Sequence, residues 1–158
     1  MPDWIEDAAK RLREEKRQRE EHQDWQRSVR GKVVAKSREV FSALLAVVEN
    51  DVERFNTHFP EAETRLQKLE RLGTMGFQVR RAYSPSFRLR VTFDAEAPLI
   101  KYEVIRANVV DGQSYATAGT FNFHLQDSGD VCLLKLGVPI TCEEASRELL
   151  VPALEGLV

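Results

Sequence analysis

The stretch GFQVRRAYSPSFRLRVTF, residues 76–93, decides the fold. Phe77, Val79 and Tyr83 alternate with Gln78 and Arg80, and Phe87, Leu89, Val91 and Phe93 alternate with Arg88, Arg90 and Thr92. A period of two puts the apolar set on one face of a strand and the polar set on the other. Ser84-Pro85-Ser86 supplies turn chemistry between the two runs. The stretch therefore predicts an antiparallel hairpin with one face in a core and a basic face outside.

Three more strands are predicted downstream. Ile100, Tyr102 and Val104 alternate with Lys101 and Glu103. After a turn at Asp111-Gly112, Phe121, Phe123 and Leu125 alternate with Thr120, Asn122 and His124. After Asp127-Ser128-Gly129-Asp130, residues Val131 to Leu136 make a fifth strand. Short links between successive strands predict an antiparallel meander. Thr141 with Glu144 forms a capping box for a last helix, which Pro152 kinks or ends.

Upstream of residue 76 the period is helical. From Val33 to about Thr57, the residues Val34, Val40, Phe41, Leu44, Leu45, Val48, Val52 and Phe55 lie on one broad face, as a core helix requires. Residues 61–72 fit either a short helix or an edge strand, since Leu66, Leu69 and Leu72 are spaced by three. The fold class is α+β: long N-terminal helices packed on a five-stranded antiparallel meander, followed by a short C-terminal helix. Gly31 separates a charged helical arm, residues 1–31, from a single α+β domain, residues 32–158, either as a hinge or as a tolerated glycine within one helix.

The arm is unusual. Asp3 can cap a helix starting at Trp4, and Ile5, Ala8, Ala9 and Leu12 form an apolar stripe. Residues 13–24 then hold no apolar side chain, and the stripe resumes at Trp25 and Val29. Glu15 with Arg19, Lys16 with Glu20 and Arg17 with Glu21 are opposite charges four apart, each supporting a helix by about 0.2–0.5 kcal/mol. A two-stranded coiled coil would place Arg19 and Gln26 in one seam and Glu15 and His22 in the other, which interrupts both. The competing readings are a solvated helix and one half of an interface, with Trp4, Leu12, Trp25 and Val29 as its protein contacts. The tryptophans can equally pack back on the protein's own core.

Composition bounds the rest. The chain has 158 residues and a formal net charge of -2, so bulk charge argues neither for nor against an anionic partner. Charge is nevertheless uneven: residues 73–106 carry six basic and three acidic side chains, and residues 107–158 carry two and seven. Cys132 and Cys142 form no CxxC pair and read as reduced structural thiols. His22, His58 and His124 have no metal-ligand spacing, and no glycine-rich phosphate loop precedes a helix. The acidic run Glu49, Asp51, Glu53 reads as a solvated face. No catalytic residue, cofactor site or metal site is read from the sequence. The absence of a signal peptide or membrane-length apolar run makes cytoplasmic the default expectation.

One patch has sharper chemistry. Arg80, Arg88, Arg90, Lys101 and His124 are predicted on the same outward sheet face, where they can take an anion or nucleic acid. Phe77, Phe87, Phe93, Phe121 and Phe123 all fall on the expected core face, which removes the stacking platform that RNA-binding sheets display and disfavours nucleic acid. The first expectation is thus a non-enzymatic module that self-associates or holds a protein partner through its N-terminal helix. The second is an anion-binding sheet, and the third an enzyme or ligand carrier with a pocket between helices and sheet.

The stretches DVERFNTHFP, GFQVRR and CEEASRELLVPAL behind a charged N-terminal helix resemble small bacterial proteins of unknown function. The resemblance implies a cytoplasmic bacterial protein and carries over no active-site residue.

Overall fold

The computed structural model of the protein describes residues 3–108, 112–155 and 157; of the expected turn at Asp111-Gly112, the aspartate lies outside them. Helix α1 spans Trp4–His58, followed by strands β1 (Glu70–Arg71), β2 (Gly76–Arg81), β3 (Ser86–Asp94), β4 (Leu99–Asn108), β5 (Gln113–Leu125), β6 (Val131–Lys135) and β7 (Val138–Ile140). Helix α2 (Cys142–Leu150) and a 3-10 turn (Val151–Ala153) close the chain. Two compact units result, Met1–Ala35 and Lys36–Val158.

The first unit is helical throughout its described residues apart from Asp3. Asp3 caps it, its carboxylate accepting from the backbone N–H of Ile5 at 3.0 Å and of Glu6 at 3.3 Å. Lys10 pairs with Glu6 at 3.3 Å, and Arg17 pairs with Glu14 one turn back. The i,i+3 geometry captures Arg17 rather than the expected i,i+4 partner Glu21. Gly31 lies inside α1 with nothing within 4 Å of the place where its Cβ would be, so it is a tolerated glycine and ends no helix.

In the second unit the seven strands form one antiparallel sheet in sequence order, β1 through β7. The C-terminal part of α1 packs on one face. Phe41 lies 5.6 Å from the Phe93 ring and 5.9 Å from Phe77, and Leu44, Val48 and Val52 are buried above Leu89, Val91, Ile100 and Val104. Each such side chain, removed from water, contributes about 1.5–3 kcal/mol. Helix α2 adds Ala145, Leu149 and Leu150 to the same core. Its cap is the expected one: the Glu144 N–H donates to Thr141 Oγ1 at 3.1 Å.

Several expectations change. The helices before the sheet are one helix, not two, and the sheet has seven strands, not five. Residues 61–72 form a turn and then a two-residue edge strand. The reason is Asn56, whose amide donates to Leu66 O at 2.9 Å and accepts from Leu66 N–H at 2.7 Å, fixing that chain as extended. Leu66 and Leu69 are buried from this extended path, so spacing by three does not mean helix here. Strand β5 begins at Gln113, well before the predicted Thr120. Tyr83 falls outside β2 and is exposed. Leu136 leaves the predicted fifth strand to form, with Gly137, a two-residue hairpin turn with φ of 51° and 79°. That is a type I′ geometry, in which leucine is disfavoured.

The acidic run on α1 is only partly solvated. Buried Ser146 on α2 donates to Asp51 Oδ2 at 2.7 Å, and Arg54 stands 3.5 Å from the same carboxylate. Asp51 therefore ties α2 to α1.

Candidate functional site

Two surfaces carry the candidate residues. The first is the N-terminal part of α1. At 3.6 residues per turn, Trp4, Ala8, Leu12, Trp25, Val29 and Val33 fall within an arc of roughly 140° on one side of the helix. None is buried. Trp4 is 74% exposed, Leu12 65% and Trp25 62%. Trp25 stacks on His22 at 6.0 Å, and His22 in turn meets the Gln26 amide at 3.1 Å.

The second surface is the sheet face opposite the helices. Strand register decides its membership, since directly opposed residues share a face. Arg80 faces Arg88, Gln78 faces Arg90, Arg90 faces Glu103, and Thr92 faces Lys101. Lys101 faces Thr120, and His124 faces Cys132. Arg80, Arg88, Arg90, Lys101 and His124 thus share one face. They are not equally available. Glu70 holds Arg80 at 3.3 Å and also takes the Gln78 amide at 2.7 Å. Asp94 holds Lys101 at 3.6 Å. The Asp94 carboxyl is itself kept below its ordinary range by the N–H groups of Ala97 and Glu96, with Lys101 adding to this. Among the described residues, Arg88 and Arg90 have no ion-pair or hydrogen-bond partner on their side chains, and His124 is exposed. An open depression of about 540 Å³ lies between Arg90, Thr92, Lys101, Glu103, Ala118 and Thr120.

The chain matches no protein-family model, no curated protein and no solved structure.

Other reactive groups make contacts within the fold. Cys142 is half-buried and its thiol approaches Val40 O at 4.0 Å. Burial, and secondarily Glu143, pushes that thiol above its ordinary range, which opposes a nucleophilic role. Arg81 is buried with its guanidinium on two carbonyls, Pro85 O at 2.9 Å and Thr64 O at 3.2 Å, and burial lowers its pKa. Lys135 donates to the Tyr102 hydroxyl, lies 4.8 Å from that ring and 5.4 Å from Phe121, and stands 3.9 Å from Glu148. This cluster joins α2 to the sheet. Tyr102 crosses directly over Gly119 on the neighbouring strand, where a Cβ would overlap its ring. Among the described residues no group of His, Cys, Asp and Glu could hold a metal, and no helix is long and apolar enough to cross a membrane.

Sequence reasoning missed two exposed features, the first half of β5 and the Leu136 turn. The uncharged run SYATAGT and the dipeptide Leu136-Gly137 were the available signals.

Proposed function

We propose that the protein is a non-enzymatic interaction module whose N-terminal helical segment holds a protein partner or a second copy through Trp4, Leu12, Trp25 and Val29. One observation carries this reading. A helix of this length leaves two tryptophans and a leucine more than half exposed on a single side. Such aromatic anchors on an otherwise charged surface are what buried interface centres are made of. The polar residues between the two apolar ends, Glu15, Gln18, Arg19 and His22, suit a contact made at two separated points.

A photo-crosslinking side chain placed one position at a time tests this in cells making the full chain. Discrete adducts from positions 12 and 29, absent from positions 13 and 20 on the opposite side, are expected. Adducts from all four positions alike, or from none, would overturn the reading.

A second reading has its own support. Arg80 stands directly opposite Arg88, a like-charge pair that costs stability unless an anion or acid relieves it. Glu70 relieves Arg80 alone. An anionic partner on Arg88 and Arg90 would relieve the rest. Binding of a polyanion that weakens steeply with salt and is lost on reversing both charges supports this reading. Salt-independent binding, or binding indifferent to the reversal, removes it.

A further inference from the structure

We infer, on the reading that this helix is a contact surface, that its partner is a second copy: residues 4–33 of two chains pair antiparallel about a two-fold axis passing between Gln18 and Arg19. The apolar spacing is palindromic about that axis. Trp4 comes level with Val33 of the second copy, Ala8 with Val29, and Leu12 with Trp25. All six lie within about 70° of one line along the helix, and none is buried. The overlap spans about 44 Å at 1.5 Å per residue and stays within the first compact unit, Met1–Ala35. An isologous contact of this kind closes as a dimer.

Charge chooses the occupant. Glu15 and His22 lie within about 10° of the same line and come level with each other, twice in the dimer. The Gln26 amide nitrogen donates to His22 Nε2 at 3.1 Å, which leaves the Nδ1 N–H to donate to a carboxylate. Two acid–imidazole contacts thereby fill the polar gap in the apolar stripe. Arg11 comes beside Trp25 of the second copy, where a guanidinium can lie on the indole, and Asp7 comes beside Lys32. Arg19 meets its own counterpart beside the axis, with Glu15 one turn away on the same helix to offset it. A parallel pair in register would set each residue against itself, which puts like charges together at Arg11, Glu15 and Arg19.

Engineered cysteines in the full chain read the register. In a Cys132→Ser/Cys142→Ser background, Ala8→Cys, Val29→Cys and the double variant Ala8→Cys/Val29→Cys are oxidised under one mild condition. The double variant should give at least about fivefold more disulfide-linked dimer than either single variant, because residue 8 meets residue 29 and neither meets itself. Single variants that link as readily as the double, or no linking by any of them, would overturn the inference. Sedimentation of the full chain with its native cysteines supplies a second readout. A wild-type dimer is expected, its dissociation constant raised about tenfold or more by Glu15→Lys and restored when His22→Glu is added. A monomeric wild type, or a dimer indifferent to Glu15→Lys, would also overturn it. The photo-crosslinking described above tells its failure from that of the contact reading. Adducts from positions 12 and 29 at a mass other than twice the chain leave the contact surface standing and remove the second copy, whereas no adduct removes both. Ala8, Glu15, His22 and Val29 are not buried, and unchanged circular dichroism verifies that the variants fold.

Discussion

Helix α1 is one element with two chemistries. Its residues before Lys36 bury no side chain, whereas the residues after it bury Ser37, Phe41, Leu44, Val48 and Val52. The first stretch is helical because straight-chain charged residues favour helix and pair along it, as Lys10–Glu6 and Arg17–Glu14 do. The second is helical because the sheet needs its apolar face. Local preference and tertiary packing can thus write the same secondary structure with very different energies behind each residue.

Leucine truncation sharpens the difference most. Leu44→Ala removes a fully buried side chain, and about 2–5 kcal/mol of unfolding free energy should be lost. Leu12→Ala, at 65% exposure, should change stability by no more than about 0.5 kcal/mol. Urea titration of the two variants checks both, and equal effects would break the comparison.

Asp51→Ala comes next. It orphans the hydroxyl of Ser146, which is fully buried, at a cost of about 1–3 kcal/mol. Pairing it with Ser146→Ala should recover part of that loss, because the stranded donor is then gone. A double-variant cycle showing no coupling would mean that Asp51 acts only through Arg54.

Gly31→Ala has the smallest expected effect. The position is open and helical, so alanine should stabilise the helix by about 1 kcal/mol. Amide exchange around residues 26–32 should slow by about fivefold, with the cooperative unfolding of the sheet unmoved. Exchange left unchanged would mean that something other than glycine sets helix fraying there.

The legible parts of the fold were those with one wet face and one dry face. The alternation from Phe87 to Phe93 and the stripe from Val40 to Val52 both reported burial, and both elements form as expected. The outward basic face was legible for the same reason, because register follows alternation. The beginning of β5 was not, since Ser114 to Ala118 are exposed on both faces and leave no period to read. Strands β1 and β7 were too short for a pattern, and β7 contains Pro139. The path of residues 61–69 depends on two distant polar side chains, Asn56 and Arg81, which no local window contains. The partnering of Arg80 and Lys101 was hidden likewise, because Glu70 and Asp94 meet them only through the register.

Asn56 carries a chemical liability along with its structural role. Its amide nitrogen donates to one backbone group of Leu66 while its oxygen accepts from another, so the side chain works as a one-residue strand. Hydrolysis of that amide with age would put a carboxylate oxygen where the donor stood, facing the Leu66 carbonyl acceptor to acceptor. The hold of α1 on the segment around Leu66 is therefore written partly into a single nitrogen atom.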